Sequence, residues 1–217
     1  MSKTHIYFMP GLGVGPDIFK QLNLSKEFEL HYLKWKKPLY QEETLTNYAM
    51  RMLEDIKHEN PVLIGVSFGG IIVQEISKFI DTRKIIIISS VKSKNEFPKK
   101  FKFANLSNLY KLFPTNIITN FEKYSKFFIG KKLKKKAANY KRYLTVKDKT
   151  YLQWSIYNVL NWQQEIPTKN ILHIHGTKDK VFPIKYIHNC EQIIGGDHAM
   201  IMTKAKKISE IINTYLK

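Results

Sequence analysis

Around Ser67 the chain changes its hydrophobic period within a few residues. "PVLIGVS", 61–67, is a short run apolar on both faces, the pattern of a strand buried inside a sheet. "GGIIVQEISKFI", 69–80, then places Ile72, Val73, Ile76 and Ile80 along one side of a helix. A strand that becomes a helix with no loop between them is half of a strand–helix–strand unit, and this chain repeats the alternation. "HIYFMPG" (5–11), "FELHYLKW" (28–35), "KIIIISS" (84–90), "NILHIHG" (170–176) and "CEQIIGG" (190–196) read as further strands. "TLTNYAMRMLEDIKHE" (44–59) and "KAKKISEIINTYL" (204–216) have helical spacing. Strands alternating with helices predict an α/β fold: an open, mostly parallel sheet of about six strands flanked by helices.

About eighty residues separate the strand ending at Ser90 from the one beginning near Asn170, far more than one crossover helix needs. Helices are predicted near 118–129, 131–143 and 147–160, with aromatics from Phe97 to Phe128. The expected organisation is a core of 1–90 and 170–217 carrying an inserted helical, lysine-rich cap, 91–169. The link from Gly176 to Cys190 has room only for a loop with one short turn.

Charge follows this division. The formal net charge is +18, and residues 92–149 alone carry +14. All but Arg51, Arg83 and Arg142 of the 36 basic residues are lysines, whereas a sequence-reading nucleic-acid protein favours arginine for bidentate contacts. No specific nucleic-acid partner is expected. The stretch "KKLKKKAANYKRY" (131–143) is foremost a solvated helix face; it could also steer anionic substrates or touch an anionic membrane surface weakly. Cys190 is the sole cysteine, the N-terminus has no signal-peptide pattern, and no apolar run spans a bilayer, so the expected address is cytoplasmic. The sequence is silent on oligomeric state.

Gly65-Val66-Ser67-Phe68-Gly69 fits G-x-S-x-G at the place where that pattern has mechanical meaning. The turn displays the serine oxygen at its tip, and the Phe68 N–H at the helix start points to the same spot. Serine needs a base, usually histidine, oriented by a carboxylate. Asp179 lies just past one predicted strand and His198 in the loop after the last, both at the carboxyl ends where open α/β sheets build sites.

With the order Ser67, Asp179, His198, the chain resembles the α/β-hydrolase superfamily, in its small form with a helical cap. The resemblance implies a catalytic triad of Ser67, His198 and Asp179, and an oxyanion hole from the backbone N–H groups of Phe68 and of Leu12 in "PGLGVG". It departs from many relatives in having Pro10-Gly11 where they have His-Gly, and in lacking two leading strands. The function implied is hydrolysis of a carboxylic ester or thioester through an acyl-enzyme, with a small-molecule acyl substrate and no cofactor or metal. Alternatives are acyl transfer or carbon–carbon lyase chemistry on the same triad, or non-catalytic binding of an anionic partner through the cap.

Other candidates have plainer readings. Asp197 adjoins His198, but neighbours in a loop usually point apart. His173 and His175 share a strand face without an accompanying Cys or acidic cluster, so they are not expected to bind metal. Asp17 is expected to cap a helix, with Phe19 near the pocket, and Cys190 to pack as a strand residue. Gly11, Gly13 and Gly15 lack the spacing of a dinucleotide fingerprint, and Pro16 interrupts the helix it would need.

Overall fold

β3 (Val62–Val66) is buried at every residue, and β4 (Lys84–Ile88) at all but its first. Such strands must lie centrally with both faces covered. The computed structural model describes residues 3–99, 101 and 143–217, and places them so. β1 (Thr4–Met9), β2 (Phe28–Tyr32), β5 (Ile171–Gly176) and β6 (Glu191–Ile193) complete a six-stranded sheet in the order β2-β1-β3-β4-β5-β6. Every neighbouring pair is parallel.

The period-2 alternation of the strands sorts the core into two layers. Tyr7, Met9, Leu63, Ile85 and Ile87 face α1 (Leu45–Met52) and α2 (Phe68–Ile76). Ile6, Phe8, Ile64, Ile86, Ile88 and Ile174 face the C-terminal helix, which buries Ile208, Ile212 and Leu216 at four-residue spacing. Between β4 and β5, the helix α3 (Lys149–Asn161) packs Tyr151 and Trp154 into the first layer. α4 (Met200–Thr203) and α5 (Ala205–Leu216) close the chain. No helix among the described residues is long and apolar enough to cross a membrane.

Several boundaries differ from the sequence expectation, each for a local reason. The helix expected over 44–59 stops at Met52 and tightens into a 3-10 turn, Leu53–Asp55. Beyond it the Tyr7 hydroxyl accepts the Lys57 N–H at 3.0 Å and bonds His58 Nδ1 at 2.6 Å, turning the chain into β3. β6 ends at Ile193 because Gly195 takes a left-handed turn and the Gly196 N–H bonds back to Ile193. Asp17 does not cap: Gly15 is the N-cap, while Asp17 pairs with exposed Lys20 and Phe19 packs on Phe8. The helices expected near 118–129 and 131–143 lie, apart from Tyr143, outside the described residues.

β5 carries an unusual load, two fully buried histidines. His175 Nε2–H donates to the Phe182 carbonyl at 2.8 Å, so its Nδ1 is the acceptor for His173 Nε2–H at 3.1 Å. Both rings are neutral in this chain of bonds. Burial is the main cause that holds His175 below the ordinary histidine value and His173 well below it. The unfolded chain takes up these protons near pH 6.5, the folded chain only at lower pH. Stability therefore falls as pH drops below 6.5, with a limiting slope of about 1.4 kcal/mol per pH unit for a ring that stays neutral while its unfolded counterpart is protonated. Urea midpoints measured at pH 7.5 and 5.5 should show this drop, and a smaller one in His173→Gln; an equal drop in both proteins would remove His173 as its source.

Candidate active site

The turn between β3 and α2 holds Ser67 at φ 53°, ψ −120°, a conformation that costs a non-glycine residue about 1–3 kcal/mol. Three bonds fix it there. The Ser67 N–H donates to the Ile88 carbonyl at 2.9 Å, and the Ser67 carbonyl accepts from the Gly70 N–H at 2.9 Å and the Ser90 hydroxyl at 2.8 Å. The flanking glycines are dictated by space. A Cβ on Gly65 would stand 2.3 Å from the Gly69 carbonyl oxygen, and one on Gly69 2.4 Å from those of Met9 and Pro10. Real Cβ atoms do not approach so closely, so only glycine lets α2 start directly above the end of β1.

The loop after β5 and the loop after β6 bring two more side chains to this tip. His198 Nε2 lies 2.9 Å from Ser67 Oγ, and His198 Nδ1 lies 2.8 Å from Asp179 Oδ2. Since a carboxylate only accepts, Nδ1 carries the proton and Nε2 offers its lone pair to the serine hydroxyl. Asp179 Oδ1 accepts the N–H groups of Val181 at 2.8 Å and Phe182 at 3.0 Å. Burial pushes the Asp179 carboxyl up, but the electrostatic pull and hydrogen bond of His198, the nearby His175 ring and the Phe182 N–H outweigh it and hold the group below its ordinary value. The ionised carboxylate is aimed at His198 Nδ1. Asp197 instead accepts the Ala199 N–H at 3.1 Å within its own turn.

The glycine-rich turn after β1 rests on the serine: a Cβ on Gly11 would lie 3.6 Å from Ser67 Cβ. Among the described residues, neither the Leu12 nor the Phe68 N–H donates to a protein acceptor. At Pro10-Gly11, the Trp35 indole N–H donates to the Gly11 carbonyl at 2.9 Å. Trp35 also stacks on Phe68, with ring centroids 5.2 Å apart and planes 9° from parallel. From above, Tyr151 of α3 accepts the Gly13 N–H at 3.3 Å, and Trp154 packs edge-on against Phe68. Phe182 meets the His198 ring edge-on. Trp35, Ser90, Tyr151 and Trp154 thus position the site, and no sequence motif marks any of them.

The remaining candidates sit apart from this chemistry. The His173–His175 pair is committed to its own hydrogen bonds, with His175 Nε2 3.6 Å from Asp179 Oδ2. Cys190 is half-buried, and burial raises its thiol above the ordinary value. Two surface hollows among the described residues, one along α1 and one beside β2, include no residue of the Ser67–His198–Asp179 chain.

No family model matches the chain, and no curated protein matches it. Solved structures do. The enol-lactonase from Burkholderia xenovorans aligns with a TM-score of 0.75 and 11% identity, over 100% of this chain and 92% of that one. An esterase from Exiguobacterium antarcticum gives a TM-score of 0.70 and 17% identity, over 99% and 92%. The bromoperoxidase from Bacillus anthracis gives a TM-score of 0.67 and 17% identity, over the same shares. With six parallel strands in this order, a helix springing directly from the serine turn, and whole-chain superposition on these proteins, the chain has the α/β-hydrolase fold.

Proposed function

We propose that the protein is a serine hydrolase that cleaves a carboxylic ester or thioester by way of an acyl-enzyme. The observation that carries this reading is the unbroken chain Ser67 Oγ–His198–Asp179, at 2.9 and 2.8 Å. Two of the structural neighbours, an esterase and an enol-lactonase, have names that speak of ester bonds. The bromoperoxidase and an epoxide hydrolase are reminders that the fold alone does not choose the reaction.

In the proposed sequence, Ser67 Oγ attacks the carbonyl carbon while its proton passes to His198 Nε2. Asp179, already ionised, stabilises the imidazolium that results. The carbonyl oxygen becomes an alkoxide, and the N–H groups of Leu12 and Phe68 receive it; each well-placed donor contributes about 3–4 kcal/mol in such sites. The intermediate collapses, the carbon–oxygen or carbon–sulfur bond breaks, and the leaving group takes the proton from His198. Water then gives a proton to the same nitrogen as it attacks the acyl carbon. Collapse of the second intermediate returns that proton to Ser67 and releases the acid.

The test is turnover of a chain-length panel of p-nitrophenyl esters and acyl thioesters. Ser67→Ala should lower kcat by roughly 10^4-fold or more. Asp179→Asn should lower it by roughly 10^3- to 10^4-fold, because the amide no longer demands the Nδ1–H tautomer. Adding an alcohol acceptor and analysing products separates hydrolysis from acyl transfer. Folded protein that turns over none of the panel, or whose turnover survives Ser67→Ala, would remove the hydrolase reading.

A further inference from the structure

Three of the seven histidines gather where the edge strand β2 pairs with β1. His5 is the second residue of β1, His31 lies on the edge strand β2, and His58 stands in the turn that leads into β3. They are 26 and 27 residues apart in sequence, so no spacing motif announces them. We propose that His5, His31 and His58 form a binding site for a divalent transition-metal ion, with zinc as the representative.

Donor type, distance and support argue for this. Imidazole nitrogen suits zinc, copper and nickel, and three such ligands with an open position make a complete donor set. One nitrogen from each ring lies within 4.8 Å of the other two. His5 Nδ1 and His31 Nε2 are already 3.0 Å apart, close to the roughly 3.3 Å between two nitrogens on a tetrahedral zinc. A tautomer shift of the donor ring moves the shared proton to its outer nitrogen and frees both lone pairs for one ion. No net proton is lost.

The third ring has its support built in. Tyr7 accepts the Lys57 N–H, and its hydroxyl bonds His58 Nδ1 at 2.6 Å. In the tautomer with the proton on Nδ1, that ring donates to the hydroxyl oxygen and His58 Nε2 offers its lone pair to the ion, the arrangement in which an outer hydrogen bond selects the ligating nitrogen. The His58 ring now lies flat on His5, centroids 3.4 Å apart and planes 8° from parallel. An ion in the plane of both rings requires His58 to swing off that stack. All three rings are half-buried, so the movement opens no core. A hollow of about 550 Å³ lined by Tyr7, His31, Asp55 and His58 gives an ion a way in from solvent. Glu29, on the same face of β2 and 3.9 Å from His31 Nε2, supplies a carboxylate beside the site.

A bound ion would tie the edge strand β2 to β1 and to the approach to β3. It would stabilise the folded chain by an amount that grows with the logarithm of its concentration over Kd. Chelator-stripped, tag-free protein titrated with zinc chloride in a calorimeter should bind one ion per chain. His31→Gln and His58→Gln should each weaken binding at least tenfold. His188→Gln, an exposed histidine elsewhere, and His198→Ala should leave stoichiometry and affinity unchanged. In the wild-type protein, zinc should shield His5, His31 and His58, but not His188, from diethyl pyrocarbonate as read by mass spectrometry. That measurement needs no variant to fold. Absence of saturable binding, binding that survives both glutamine substitutions or disappears in His198→Ala, or modification of the three rings unchanged by zinc would overturn the proposal.

Discussion

The contact on which the site depends is backbone against backbone. α2 begins so close to the ends of β3 and β1 that a methyl at residue 65 would meet the Gly69 carbonyl oxygen at 2.3 Å, and one at residue 69 those of Met9 and Pro10 at 2.4 Å. Because the helix starts there, Ser67 has to occupy a strained turn, and because the turn is tied to Ile88, Gly70 and Ser90, it cannot relax. The strain of about 1–3 kcal/mol is small beside the burial of β3 and α2, which are buried along their whole lengths. The serine oxygen is thereby held at the tip of the turn by the fold itself, and under the proposed function this is preorganisation for attack.

The other two members reach the serine through the sheet. The strands are all parallel, so β3, β5 and β6 end at the same edge of the sheet, and the loops after β5 and β6 bring Asp179 and His198 to Ser67. Asp179 is buried yet ionised because two N–H groups and His198 surround its oxygens. Behind it, the neutral His173–His175 pair fills the interior and bonds the Phe182 carbonyl, holding the same loop that offers its N–H groups to Asp179. An aromatic layer of Trp35, Phe68, Tyr151 and Trp154 then fixes the glycine-rich turn over the serine.

What could be read in the sequence was what local pattern controls. Fully apolar runs such as 85–88 mark central strands, and Gly65 and Gly69 mark the turn, because period and steric demand act over a few residues. Ser67, Asp179 and His198 were legible through their places at strand ends. What escaped was set by distant partners. Helix α1 ends early because Tyr7, fifty residues upstream of Lys57, captures that N–H. Ser90, Trp35 and Tyr151 look like any other serine or aromatic until the fold brings them to the turn. The histidines at 5, 31 and 58 converge only through the pairing of β1 with β2 and the entry into β3.

The central claim is that Ser67 is an activated nucleophile, and a fluorophosphonate probe tests it most directly. The phosphorus reacts only with a serine whose proton a neighbouring base can take, and mass spectrometry locates the adduct. The account predicts one label per chain, on Ser67, absent from Ser67→Ala and nearly absent from His198→Ala. A folded protein that takes up no label, carries it elsewhere, or reacts equally well without His198 would contradict it.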